Sequence, residues 1–262
     1  MKPAQDGLAT VAAAASRVLG LPDSIEACLF DLDGVLTQTA KVHAAAWKDM
    51  FDEFLRDYAA ETGSRFVPFD AHGDYDRYVD GKPRLDGTRD FLRARRIDLP
   101  EGAEDDSPGA HTVHGLSNRK NDLVLAKIRD DGVEVYPGSV DYVREVRAVG
   151  LRTAVVSSSA NTRDVLECTQ IRDLFDVVVD GLVARQQHLP GKPAPDTFLA
   201  GARELDAAAA EAAVFEDALA GVAAGRAGRF GFVVGVDRVG QAAALREHGA
   251  DVVVGDLSEL LM

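Results

Sequence analysis

Two aspartates close an apolar run: Ala27-Cys28-Leu29-Phe30 is followed by Asp31-Leu32-Asp33-Gly34. A short buried strand would deliver both carboxylates to its C-terminal end, where open α/β sheets gather their ligands. One carboxylate there can attack phosphorus and carry the phosphoryl group as an aspartyl-phosphate. The second can give or take a proton at the leaving or attacking oxygen. The same letters also fit an acidic turn, because Asp-Gly is common turn chemistry. Three further segments bear on the choice.

The first of these is Val155-Val156-Ser157-Ser158-Ser159-Ala160-Asn161. Hydroxyls and backbone N–H groups between a strand end and a helix start suit an anion, and Ser157, Ser158, Ser159 and Asn161 are its candidate ligands; a serine N-cap fits equally. In Gly191-Lys192-Pro193 a lysine is held between a turn glycine and a proline, placed to neutralise a transferring phosphoryl group. The plainer reading is a loop with Asp196 capping the next helix. In Val214-Phe215-Glu216-Asp217 two acids again end a strand-like run. Asp31, the Asp33 carbonyl, Glu216 and Asp217 form the oxygen-rich set that Mg²⁺ prefers. Singly each segment passes as a turn or cap, but four in this order, three of them directly after an apolar run, do not.

The elements that would position these groups follow an alternating pattern. Strand-like runs are Ala27–Phe30, Arg152–Val156, Phe175–Val179, Ala213–Glu216, Phe230–Val236 and Val252–Val254. Helix-like segments separate the later ones: Val140–Ala148, Asn161–Cys168, Asp196–Leu205, Gly221–Gly225 and Gln241–His248. Alternation at this spacing predicts a doubly wound, Rossmann-like parallel sheet. A largely helical block over 42–134 interrupts it straight after the first strand. The expected organisation is therefore a core of 1–41 and 135–262 with an inserted helical cap at 42–134. Within the cap, helices are expected over Thr39–Tyr58, Gly87–Arg95 and Ser117–Arg129, with loops over Glu61–Lys82 and Pro100–Gly115. Residues 1–24 read as an N-terminal helical extension, with the Ala-rich helix over Gly7–Leu19.

Composition narrows the class. At 262 residues with 46% apolar residues, the chain can bury a large core. Its 43 acidic against 29 basic residues, a formal charge of -14, argues against nucleic acid or an anionic membrane as partner. It does not exclude a small phosphorylated substrate beside a bound cation. No run is long and apolar enough to span a bilayer, and the expected location is the cytoplasm. The two cysteines, Cys28 and Cys168, read as buried reduced thiols.

The four segments together resemble the motifs of the haloacid dehalogenase-like phosphotransferases, over the whole chain apart from the N-terminal extension and part of the cap. The resemblance implies Asp31 as nucleophile and Asp33 as general acid/base. It implies that Ser157 and Lys192 bind the transferring phosphoryl group, and that Asp31, Asp33, Glu216 and Asp217 hold Mg²⁺. Within the family the stretch from Asp31 through Thr39 and His43 to Trp47 is similar to that of the sugar-phosphate mutases. That likeness puts Thr39 at the core–cap hinge and His43 by the acid/base, with Trp47 either a sugar platform or helix packing. Gly81-Lys82-Pro83-Arg84 is similar to a substrate loop, Arg84 gripping the phosphate that is not transferred. Arg119-Lys120-Asn121-Asp122 is similar to a cap run in which Lys120 and Asn121 face His43 and the sugar. Two positions depart from the mutases: Ala160 and Asp80 stand where lysines are expected, with Lys82 near enough to substitute for the second.

What the likeness implies is an isomerase of β-glucose 1-phosphate and glucose 6-phosphate, with glucose 1,6-bisphosphate as activator and a cap that closes to exclude water. The chain would work as a monomer or weak homodimer. The alternative is a sugar-phosphate phosphatase of the same fold. A fold kept only for binding would not need the intact set of acids and lysine.

Overall fold

Uninterrupted apolar runs become strands because a parallel sheet is covered on both faces and has no solvent side to read as polar. A computed structural model describes residues 19–261. Its strands are β1 (Ala27–Phe30), β2 (Arg152–Val156), β3 (Val177–Val179), β4 (Ala212–Glu216), β5 (Phe232–Val236) and β6 (Val252–Val254). They form one sheet in the order β3-β2-β1-β4-β5-β6, every pair parallel. The chain steps outward from β1 to β3, then crosses to β4 on the other side of β1. That reversal is the topological switch point, where doubly wound sheets open a crevice at the strand C-termini. Leu29, Val156, Val214 and Val233 form part of a core with no solvent exposure.

The chain divides into two compact units, one of residues up to Thr37 with Glu134 onward, the other of Gln38–Val133. Two helices, α1 (Thr39–Thr62) and α2 (Arg84–Ala94), with a third, α3 (Val113–Asp131), build the second unit. Its interior is aromatic: Phe51 lies 4.1 Å from Phe91 and 5.3 Å from both Trp47 and Phe69, centroid to centroid. α1 ends at Gly63, whose φ of 68° is a left-handed cap. The buried Asp52 carboxylate accepts the Phe69 N–H at 2.7 Å and the Lys48 ammonium at 2.8 Å, which ties the polar stretch after α1 to the helix.

In the first unit the remaining helices are α4 (Pro137–Ala148), α5 (Thr162–Cys168), α6 (Gly181–Gln186), α7 (Asp196–Glu204), α8 (Leu219–Ala227) and α9 (Ala242–His248). Several local expectations need correcting. The stretch expected to be irregular holds a π-helical turn, Tyr75–Val79. α6 was not expected; it starts because the buried Asp180 carboxylate accepts the N–H groups of Leu182 and Val183. Cys168 is exposed while Cys28 is buried, and both are free thiols. Residues 19–24, the described part of the expected N-terminal extension, form turns and irregular chain. The rest of that extension, with the helix expected from Gly7, lies outside the described residues. Among the described residues no helix is long and apolar enough to cross a membrane.

Candidate active site

Register brings the first acids together. Phe30 pairs with Val155 on one side and Phe215 on the other, so Asp31, one residue on, stands level with Val156 and Glu216. Lys192 joins these three. Its ammonium donates to Asp31 Oδ1 at 2.5 Å, Glu216 Oε1 at 2.7 Å and the Val156 carbonyl at 3.0 Å, so each of its three N–H groups has an acceptor. The side chain is 1% exposed and lies 4.7 Å from the Phe198 ring centroid. It arrives there on the Gly191–Pro195 loop that leads into α7.

Burial sets the electrostatics of this cluster. It works against the charge on Lys192, but the Asp31 and Glu216 carboxylates outweigh it and keep the ammonium protonated well above the lysine range. The same desolvation pushes Asp31 up against the pull of Lys192, with Asp33 adding to the rise. Glu216 is also pushed up by burial, although Lys192 pulls it down. An added cation would pull both carboxylates back down. Oxygens of Asp31, Glu216 and Asp217 lie within 4.8 Å of one another. This hard, all-carboxylate set fits a divalent cation that also takes water and phosphate oxygens.

Two glycines are required by this packing. Gly34 has φ 86°, and a Cβ there would overlap the Asp217 carboxylate; at Gly221 it would overlap the Glu216 carboxylate. Gly34 opens a tight turn in which its N–H donates to Thr37 O at 2.8 Å. The turn sets Asp33 just beyond Asp31, and the Asp33 N–H donates to the Asp31 carboxylate.

Ser157 follows β2 and is buried. Its Oγ accepts the Ser159 N–H at 3.1 Å, and Ser159 Oγ accepts the Asn161 N–H at 3.2 Å. Ser158 and Ala160 complete the loop, half-buried. Because Lys192 is bonded to Val156 O, it lies beside the start of this loop.

The helical unit holds a second cluster. Lys120 is 5% exposed, and its ammonium sits 2.9 Å from His43 Nδ1 and 5.0 Å from the Trp47 ring centroid. An ammonium only donates, so Nδ1 accepts and the neutral ring carries its proton on Nε2. Burial, then the Lys120 and Arg84 charges, hold His43 well below the usual histidine range. Arg84 begins α2, and Gly81 precedes it with φ 66°. Asn121 follows Lys120 on α3, and the buried Thr39 begins α1. Trp47 is buried in the aromatic core and stacks on Phe51. Lys82 is engaged by Asp90 at 2.9 Å.

Sequence reasoning passed over Arg238 and Gln241, which follow β5. Gln241 Nε2 donates to the Asp217 carbonyl at 3.1 Å, and Arg238 Nε donates to the Gly34 carbonyl at 2.8 Å. No local pattern marks either one; only the adjacency of β4 and β5 could have pointed to that loop.

Comparison with known proteins bears on the family and the fold. A model of the haloacid dehalogenase-like hydrolases matches residues 25–229. A β-phosphoglucomutase from Mycobacterium bovis is 58% identical over 249 residues, covering 94% of this chain and 95% of its own. One from Bacillus subtilis is 31% identical, covering 91% of this chain and 92% of its own. A solved β-phosphoglucomutase structure from Clostridium difficile superposes with a TM-score of 0.70 at 26% identity, covering 90% and 93% of the two chains.

Proposed function

The chain belongs to the haloacid dehalogenase-like hydrolase family, and from that premise we propose that it is a β-phosphoglucomutase-type isomerase. It interconverts β-glucose 1-phosphate and glucose 6-phosphate by carrying a phosphoryl group on Asp31. The observation that carries the chemistry is the buried Lys192 shared by Asp31 and Glu216. The near-full-length identity to the mycobacterial enzyme supports the choice of an isomerase.

Asp31 attacks a phosphorus of glucose 1,6-bisphosphate, the activator. A P–O bond forms to the carboxylate, the P–O bond to the sugar breaks, and Asp33 gives its proton to the departing oxygen. In the productive half, Asp33 takes the proton from the 6-hydroxyl of β-glucose 1-phosphate as that oxygen attacks the aspartyl-phosphate. The bisphosphate then presents its other phosphate to Asp31 and leaves as glucose 6-phosphate. Lys192 offsets charge on the transferring group, and Ser157 with the following N–H groups orients it. Asp31, the Asp33 carbonyl, Glu216 and Asp217 are the ligands we assign to Mg²⁺. When bound, the ion supplies charge neutralisation to the phosphoryl oxygens. In the helical unit Arg84 is assigned to the phosphate that stays, and Lys120, Asn121 and His43 to the sugar. Thr39, Gly81 and Trp47 shape that part of the site, with Ser158, Ser159 and Asn161 lining the phosphate loop. All these groups belong to one chain, so the reading requires no second copy. Phosphorylated sugars are too charged to cross a bilayer unaided, and a substrate of that kind supports the cytoplasm as the place of work.

Hydrolysis of a sugar phosphate is the second reading, favoured by Ala160 in the phosphate loop and by the engagement of Lys82 with Asp90. Incubation with Mg²⁺, β-glucose 1-phosphate and a trace of glucose 1,6-bisphosphate separates the two. Glucose 6-phosphate without inorganic phosphate is the expected result. Release of inorganic phosphate at a comparable rate would make the enzyme a phosphatase.

A further inference from the structure

We propose that Arg238 is a positioning residue for the catalytic aspartates: its guanidinium fixes the turn that carries Asp33 and presses Gly34 against Asp217. The inference rests on the roles assigned above to Asp33 and Asp217. Arg238 lies 204 residues beyond Gly34, in the loop after β5. Its Nε donates to Gly34 O at 2.8 Å and its Nη2 to Val35 O at 3.3 Å. The other edge holds the base of the loop: Nη1 donates to Gly255 O at 2.7 Å and pairs with Asp256 at 3.1 Å. The guanidinium carbon lies 3.5 Å from the Tyr136 ring centroid, and the side chain is only 14% exposed.

A surface ion pair would need Asp256 alone. This arginine turns its second edge to two backbone carbonyls of the catalytic turn, with Nη2 also donating to Ser139 Oγ at 3.2 Å. Gly34, with φ 86° and no Cβ, has the freest backbone in that turn. Bonds within the turn, from Gly34 N–H to Thr37 O at 2.8 Å and from Thr37 N–H to Leu32 O at 3.0 Å, set its shape, and the two Arg238 bonds to adjacent carbonyls fix its placement against the Asp217 carboxylate. The other side of the same contact is held by the same loop, through Gln241 Nε2 on the Asp217 carbonyl. The loop is itself braced. Asp237 Oδ1 accepts the N–H groups of Gly240 at 2.7 Å and Gln241 at 2.8 Å, and Oδ2 accepts that of Ala242 at 3.1 Å. One loop thus clamps the Gly34–Asp217 contact from both sides. Lysine cannot reproduce this, because its single ammonium has no fork to span the carbonyls and Asp256 together.

The test is Arg238→Lys, with Gln241→Leu as a milder second variant. Steady-state kinetics give the kcat–KM split, and electron paramagnetic resonance of free Mn²⁺ gives metal affinity without substrate. Circular dichroism gives the folded fraction. For Arg238→Lys, kcat should fall about tenfold or more while KM for β-glucose 1-phosphate stays within about twofold. Mn²⁺ binding should weaken by about tenfold in a fully folded protein. Gln241→Leu should move both in the same direction, by less. Wild-type kcat and Mn²⁺ affinity in Arg238→Lys would overturn the proposal. So would a rise in KM alone, or a kcat loss that only tracks unfolded protein while Gln241→Leu is unaffected. If the wild-type enzyme forms no glucose 6-phosphate, the functional reading fails separately, and the Mn²⁺ measurement still decides the role of Arg238.

Discussion

The strand ends of the α/β unit and the polar cluster of the helical unit hold their charges in different ways. At the strand ends one buried ammonium serves two buried carboxylates and a carbonyl, and two glycines admit the acids only because they lack a Cβ. In the helical unit Lys120 rests on an aromatic ring and a histidine, and its neighbour Arg119 pairs with the half-exposed Glu53. The first arrangement fixes every charge by packing and tolerates little change. The second joins a buried Lys120 to partly exposed pairs such as Arg119–Glu53, which can change without rebuilding a core. Under the proposed function, the difference would match the demands of phosphoryl transfer, whose positioning is strict, and of sugar recognition, which varies between substrates.

The sharpest way to break this contrast is Gly34→Ala. The added Cβ meets the Asp217 carboxylate at a backbone angle that alanine resists, so kcat should drop by at least about a hundredfold. An alanine variant with ordinary kcat in the product assay would mean that the acids are not packed as described.

Lys192→Met comes next. It leaves Asp31 and Glu216 as buried carboxylates without their cation, which should cost about 3–5 kcal/mol in denaturant unfolding with chelator present. Saturating Mg²⁺ should recover part of the loss, and so should adding Asp31→Asn. No difference between chelator and Mg²⁺ would remove the metal from this set of oxygens.

Much of the strand-end site was legible because burial on both faces writes continuous apolar runs, and the acids follow those runs directly. Ala27–Phe30 and Ala212–Glu216 are of this kind, and the doubly wound sheet follows from their alternation with helices. What was not legible depends on distant packing. α6 rests on a single buried cap, Asp180, and is six residues long, too short to leave a period. The turn at Tyr75–Val79 buries Val79 and sets Tyr78 against Phe91, contacts that its own polar sequence does not announce. Arg238 is one arginine in a post-strand loop, and only the sheet order makes it a neighbour of Gly34. Cys168 lies in an apolar-looking segment, yet on the exposed side of a short helix.

The helical unit supplies smaller tests. Lys120→Met removes one charged hydrogen-bond donor from His43. KM for β-glucose 1-phosphate should rise about tenfold, with a smaller change in kcat, and the His43 pKa should climb toward the ordinary value in an NMR titration. A larger loss in kcat than in KM would move Lys120 into the chemistry and blur the comparison.

His43 also sets a pH dependence. Burial, Lys120 and Arg84 hold its folded-state pKa well below the ordinary 6.5. Between those two values the unfolded chain binds a proton that the folded chain does not. Stability from this group is therefore complete above about pH 6.5 and falls as pH drops below it. The denaturant midpoint should drop more between neutral pH and about pH 5 in the wild type than in His43→Gln. Equal drops would show that His43 is not held neutral. Smallest of all is Glu53→Gln, which should shift stability by less than about 1 kcal/mol because Glu53 is half exposed.

The claim beneath the whole account is that Asp31 carries the phosphoryl group. The direct measurement is to mix the enzyme with Mg²⁺ and glucose 1,6-bisphosphate, quench in acid, and reduce the acyl phosphate with borohydride. Peptide mass spectrometry then reads the modified residue. The account predicts homoserine at position 31, absent in Asp31→Asn. Reduction at Asp33, phosphate stable on Ser157, or no trapped adduct during active turnover would contradict it.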